Sequence, residues 1–188
     1  MILASNSPRR KDILTSLSIQ FKVVPSHEEE CSAVTCFPEH LPILNAVLKC
    51  QSVAYDFPDH LVLGADTVVE LDGQIIEKPE DEEDALRMLM MLSGRRHQVV
   101  TGVCLIKQNE NVLTVFAEKS IVEFNMFDQK TAEDYMKKVY VLDKAGSYAV
   151  QEHGEIIIKD IIGSESNVIG LPVEKLLECP LLKQYGII

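Results

Sequence analysis

Two runs rich in β-branched and apolar residues, 98–107 and 112–124, are separated only by the polar turn 108–111. That spacing predicts a long antiparallel hairpin, which needs further strands and helices to cover it. The start of the chain follows another pattern. Residues 1–4 read as a short buried strand, Ser5, Asn6, Ser7 and Pro8 as a tight loop, and Ile13, Leu14 and Leu17 as one face of a helix. Residues 21–24 read as a second strand, followed by an irregular stretch through Pro42. Residues 43–55 carry the helical stripe Leu44, Val47, Leu48 and Val53. An apolar strand at 61–65 gives way at Asp66 to another at 67–71, and Asp72-Gly73 is a strong two-residue turn into 74–77. Helices are expected at 80–92 and, capped by Thr131, at 131–139, strands at 147–150 and 155–162, and a closing helix at 173–182. Strands and helices mix without strict alternation. The expected fold is therefore α/β: a mixed, twisted sheet flanked by helices, in two lobes around a central cleft. No repeat or linker-like stretch divides the chain, so residues 1–188 are expected to form a single domain, its lobes exchanging near Asn109.

Of the 188 residues 46% are hydrophobic and 25% charged, which excludes whole-chain disorder. Eighteen Lys and Arg against 29 Asp and Glu give a net charge of −11. Such a molecule is repelled by nucleic acid and by anionic membranes, so neither is an expected partner, and any polyanionic ligand must meet a local concentration of positive charge. No run of 18 apolar residues occurs, and Arg9 and Arg10 arrive before a signal segment could form. Cys31, Cys36, Cys50, Cys104 and Cys179 are odd in number and include no Cys-x-x-Cys pair. A cytosolic location is expected on both grounds. His27, Cys31, Cys36 and His40 cluster, but with gaps unlike those of zinc sites.

Three local features carry chemistry. In Ser7-Pro8-Arg9-Arg10, Ser7 suits a helix N-cap and Pro8 the first helical position, so the unpaired amides of the first turn form an anion site. Arg9, Arg10 and Lys11 stand there against the positive end of the helix dipole, a conflict that a bound phosphate chain resolves. Their solvation, or pairing with Glu28, Glu29 and Glu30, is the ordinary alternative. In Gly64-Ala65-Asp66-Thr67 an acid ends an apolar strand, which calls for a charge partner or a metal, or else marks a turn cap. Lys49 on the second helix and Lys78 before Pro79 add the positive charge that a triphosphate requires.

These residues resemble the Maf family of nucleoside triphosphate pyrophosphatases. The resemblance runs through Leu3-Ala4-Ser5 to Arg10, Gly64-Ala65-Asp66-Thr67, Glu77-Lys78-Pro79, Leu92-Ser93-Gly94 with His97, Thr101-Gly102-Val103, Asp143-Lys144-Ala145-Gly146-Ser147-Tyr148, Gln151 and Gly170-Leu171-Pro172. It implies the elongated fold shared with inosine triphosphate pyrophosphatases, a divalent metal, Mg²⁺ or Mn²⁺, a homodimer, and cleavage of a nucleotide between its α and β phosphates. Ala-Asp-Thr in the central motif resembles the branch acting on dTTP and UTP, whereas Ser-Asp-Gln marks the branch acting on 7-methyl-GTP. Arg9, Thr67 and Gln151 match positions tied to the pyrimidine choice. The family's proposed base falls on Asp66. Two departures stand out: Tyr140-Val141 replaces a usual Glu-Pro, and Glu152 replaces the Gly that follows the glutamine. Cys50 replaces a common Ala and is expected to be neutral.

The expected mechanism places the metal on Asp66 and one or both of Glu29 and Glu30. Asp66 activates water, Lys49 and Lys78 stabilise charge with the arginines, and Ser5, Arg9, Arg10, Thr67 and Gln151 bind substrate. A non-catalytic nucleotide sensor regulating cell division, or a 7-methyl-GTP pyrophosphatase, are the competing readings.

Overall fold

A computed structural model describes residues 1–31 and 40–188. Its strands are β1 (Ile2–Leu3), β2 (Lys22–Val23), β3 (Val62–Leu71), β4 (Gln74–Ile76), β5 (Arg96–Lys107), β6 (Val112–Phe124) and β7 (Ile158–Ile162). Its helices are α1 (Pro8–Ser16), α2 (Leu41–Asp56), α3 (Glu82–Leu92), α4 (Gln129–Met136), α5 (Glu165–Ile169), α6 (Val173–Glu178) and α7 (Pro180–Gln184). The long hairpin forms as the spacing predicts, β5 pairing with β6 from Arg96 opposite Glu123 to Lys107 opposite Val112. β3 lies antiparallel on the other side of β5, and β1 is parallel to both β2 and β3. The sheet order is β2-β1-β3-β5-β6-β7, with β4 paired to β3, so the sheet is mixed as expected.

Several local expectations need correction. The strands predicted on either side of Asp66 are one strand, because β5 offers a partner to every residue across the break, with Asp66 opposite Gly102 and Thr67 opposite Thr101. No strand forms at 147–150: Gly146 and Ser147 sit at φ +71° and +62°, a left-handed turn that strand pairing cannot accommodate. β7 is shorter than expected, with a 3-10 turn at Gly154–Ile156 before it. Asp128, not Thr131, caps α4, accepting the Thr131 amide at 2.9 Å. Pro180 divides the closing helix into α6 and α7, since it supplies no N–H and clashes with a preceding turn. The α5 turn went unseen because five residues are too few to show a helical period. Residues 32–39 of the predicted irregular stretch, including Cys36, lie outside the described residues.

Alternation along β3 sends its side chains to two layers. Val62 packs with Ile2, Ala46, Cys50, Val53, Cys104 and Ile106 under α2, while Leu63 and Ala65 pack with Ile13, Leu14, Val103, Leu171 and Leu176 under α1 and α6. Farther along, Val69 and Leu71 join a separate core with Leu89, Val99, Phe124, Tyr135 and Tyr148 under α3 and α4. These cores flank an opening in the strand pairing. β1 pairs only with residues 62–63 and β4 only with 69–71, so among the described residues 64–68 of β3 have no strand beside them on that edge.

Two glycines set how closely α2 lies on the sheet. A Cβ at Gly102 would stand 2.4 Å from the Pro42 carbonyl, and one at Gly64 would stand 2.5 Å from the Ala46 carbonyl. Both obstacles are backbone and cannot rotate away. In the second core His97 is 2% exposed, and its ring lies edge-on to Phe124 and Tyr148 at 4.9 and 5.3 Å. Its Nε2 is 2.8 Å from the Tyr148 hydroxyl, while Nδ1 has no partner among the described residues.

Gly102→Ala should lower the unfolding free energy by about 1–3 kcal/mol in urea denaturation, because α2 must lift from the sheet. Burial holds the His97 pKa down to about 4 from 6.5. The unfolded chain therefore binds a proton between those values that the folded chain refuses, and stability falls as pH drops through that window, by up to about 3 kcal/mol. Unfolding titrations from pH 7 to pH 4 should show a flatter decline for His97→Phe than for the wild type.

Candidate active site

The opening beside β3 is the mouth of a cleft of about 730 Å³. Its lining includes Ser5, Ser7, Arg9, Arg10, Glu28, Glu30, Asn45, Lys49, Asp66, Thr67, Lys78, Asp143, Lys144, Tyr148 and Gln151. Arg9, Arg10, Lys49, Lys78 and Lys144 face Glu28, Glu30, Asp66, Glu77 and Asp143, so the lining is formally neutral in a chain that carries −11. Cations do gather there, but each is matched by an acid, so the cleft escapes the negative excess of the whole chain without a positive surplus of its own.

At one end, Asp66 is 7% exposed and held from two sides by α2. Lys49 Nζ lies 2.7 Å from its Oδ1, and Asn45 Nδ2 donates to its Oδ2 at 3.1 Å. The same Lys49 ammonium lies 2.7 Å from Glu30 Oε1. Burial opposes the charge on Glu30, but the hydrogen bond and charge of Lys49, with Lys78 and Arg10 farther off, prevail and hold its carboxyl below the usual range. Lys49 and Asn45 are four residues apart on α2, one turn, which is why both reach the same carboxylate. Among the described residues no three His, Cys, Asp or Glu side chains gather as a ready metal cage. Asp66 and Glu30 nevertheless bring two carboxylate oxygens onto one ammonium, and two such ligands completed by water and phosphate oxygens suit Mg²⁺. Glu28, Glu29 and Glu30 are all exposed; Glu28 and Glu30 line the cleft, and Glu29 stands beside its lining.

On the other face of β3, Arg10 is 8% exposed and largely committed within the fold. Its Nε donates to the Gly170 carbonyl at 2.8 Å, Nη1 to Ser5 Oγ at 3.1 Å and Nη2 to Thr67 Oγ1 at 3.0 Å. Burial pulls its pKa down, Asp66 opposing, Arg9 adding to the fall and Glu30 opposing. Ser7 holds the N-cap position with Pro8 after it, yet its side chain caps nothing; its own amide donates to Ser5 Oγ at 3.2 Å. The first turn of α1 holds no acid.

Across the cleft, Arg9 pairs with Asp143 at 3.3 Å. Asp143 also accepts from Lys144 at 2.8 Å, and the buried Lys144 ammonium donates to the Tyr140 carbonyl at 2.6 Å and reaches Glu152 at 3.4 Å. Two of the positions that depart from the Maf pattern therefore meet one lysine, Glu152 by its side chain and Tyr140 by its main-chain carbonyl. Gln151 lies in an exposed turn on this wall, and Lys78 is exposed with no ion-pair partner among the described residues. Asn45, Lys144 and Tyr148 were not singled out from the sequence as site residues. The four-residue spacing of Asn45 and Lys49 is the one signal that could have found the first of them.

The family model described as Maf-like protein matches residues 1–184. A protein of Akkermansia muciniphila named dTTP/UTP pyrophosphatase is 44% identical over 95% of this chain and 94% of its own. Proteins of the same name from Clostridioides difficile strain 630 and Bacillus cereus strain G9842 are each 40% identical, over 98% and 100% of this chain and 94% and 96% of theirs. The solved structure of the Staphylococcus aureus Ham1 protein superposes with a TM-score of 0.53 at 20% identity, covering 97% of this chain and 98% of that one, and so shares the fold. With matching motifs, a family model spanning nearly every residue and relatives aligned from end to end, the chain belongs to the Maf family.

Proposed function

We propose that this protein hydrolyses dTTP and UTP to the nucleoside monophosphate and pyrophosphate. The observation that carries the reading is the meeting of Asp66, Lys49 and Glu30 at 2.7 Å in a cleft that also collects Arg9, Arg10 and Lys78. The relatives named dTTP/UTP pyrophosphatase, at about 40% identity over nearly the full length, supply the substrate class. A divalent cation, Mg²⁺ or Mn²⁺, held by Asp66 and Glu30, would withdraw charge from the phosphate oxygens. Asp66 orients the attacking water toward the α-phosphorus and takes its proton. An oxygen–phosphorus bond forms as the bridge to the β-phosphorus breaks, and Lys49, Lys78 and Arg9 neutralise the departing pyrophosphate, while the free hydrogens of Arg10 meet the rest of the nucleotide. Ser5 fixes the loop and the Arg10 fork, and Gln151, whose amide both donates and accepts, reads the base. One sheet joins both walls, which supports residues 1–188 acting as a single domain. Among the described residues no helix is long and apolar enough to cross a membrane. We carry the cytosolic location and the homodimer with this reading.

The test is a panel of single triphosphates with Mg²⁺ or Mn²⁺, read as pyrophosphate released. dTTP and UTP should lead. Binding without release would favour the sensor, and a lead by 7-methyl-GTP would favour the other branch. Asp66→Asn should lower kcat at least a hundredfold at saturating metal, and chelation by EDTA should abolish turnover until Mg²⁺ or Mn²⁺ is restored.

A further inference from the structure

Behind Thr67 runs a chain of polar groups whose hydrogens can be assigned one by one. Arg10 Nη2 donates to Thr67 Oγ1 at 3.0 Å, and Thr101 Oγ1 donates to the main-chain carbonyl of Asn167 at 2.9 Å. A carbonyl only accepts, so the single hydroxyl hydrogen of Thr101 is committed there. The 2.9 Å contact between the two threonine hydroxyls then has one direction: Thr67 donates and Thr101 accepts. Thr67 has used its hydrogen and one lone pair, and the other lone pair is all its hydroxyl can offer to the cleft. Thr101 and Asn167 are both fully buried, so no solvent competes for these bonds. Asn167 anchors the end of the chain, its Nδ2 donating to the Val99 carbonyl and to Ser120 Oγ at 3.0 Å each, while its Oδ1 has no partner among the described residues. A buried amide kept at such expense holds α5, and with it the Asn167 carbonyl, against β5 and β6.

We propose that Thr101 is a positioning residue that makes Thr67 an obligate acceptor, and that this selects a base with an N–H donor, uracil or thymine, over cytosine. The proposal rests on the pyrimidine triphosphatase reading above. Ionised phosphate oxygens are acceptors and gain nothing from Thr67 itself, whereas an N–H group does. Beside its lone pair, Arg10 Nη2 keeps its second hydrogen, which sets an acceptor and a donor 3.0 Å apart. The N3–H and neighbouring carbonyl of uracil or thymine complement that pair. In the register that uracil takes, cytosine presents a bare ring nitrogen, lone pair against lone pair, and it recovers a donor there only by sliding its exocyclic N4–H₂ onto Thr67, which draws the attached sugar and phosphates away from their own contacts.

The experiment measures kcat and KM for UTP, CTP and 3-methyl-UTP with the wild type, Thr101→Val and Thr101→Ser. The wild type should favour UTP over CTP and over 3-methyl-UTP by about tenfold or more in kcat/KM. Thr101→Val keeps the shape but removes the acceptor, which frees the Thr67 hydrogen. Its preference for UTP over CTP should shrink about tenfold, chiefly through KM, and Thr101→Ser should restore it. An equal fall for both substrates in Thr101→Val means a merely structural role and overturns the proposal. Equal use of UTP and 3-methyl-UTP by the wild type overturns it too, however the variants fold. A wild type inactive on every pyrimidine triphosphate removes the functional reading and this proposal together, whereas brisk UTP hydrolysis with an unmoved ratio removes this proposal alone.

Discussion

The site depends on how near α2 lies to the sheet. Only hydrogen atoms at Gly64 and Gly102 separate helix backbone from strand backbone there, and that distance brings Lys49 and Asn45 onto the two oxygens of Asp66. A carboxylate this deeply buried loses several kcal/mol of hydration, and it stays ionised only where fixed charge and hydrogen bonds replace the lost water. Packing and electrostatics are one constraint here: a wider spacing would strand the carboxylate before it emptied any core.

The charge pattern has the same economy. Across the whole molecule acids exceed bases by 11, yet the cleft lining balances them. Balance is more useful than excess. The acids keep the cations ordered in defined places, as Asp143 does for Arg9 and Lys144 and as Asp66 does for the ammonium of Lys49. Arg10 goes further, giving three of its donors to the protein so that its remaining hydrogens point in fixed directions. The likeness to the Ham1 structure concerns backbone only, and function here is argued from side chains.

Much of this was legible in the residues themselves. Apolar runs and turn residues marked β4, β5 and β6 and, in two pieces, β3, and Ser7-Pro8 marked the start of α1. The rule-breaking arginines and the acid in an apolar strand pointed to the cleft, in keeping with the tendency of functional sites to violate local preferences. What escaped was set at long range. Thr101 is 66 residues from Asn167, so no window of sequence shows that pair, and Lys144 meets Tyr140 and Glu152 across irregular turns that carry no periodic signal. Asp66 looked like a strand end because a charge there is unfavourable without Lys49, which lies 17 residues earlier on another element. Of the two acids expected to join Asp66, Glu30 lines the cleft and Glu29 lies beside it, a difference that depends on the path of the loop.

The unbroken sheet has a consequence for the way the molecule handles its ligand. Both walls of the cleft are mounted on the same long strands, with α1 and α2 at one end of β3 and β5 and α3 at the other. Spreading those walls means twisting a ladder that runs without interruption from Arg96 to Lys107. Proteins built from two bodies on a flexible hinge assemble their chemistry by swinging shut; here a common girder carries both jaws, and the shape of the cleft is set when the chain folds.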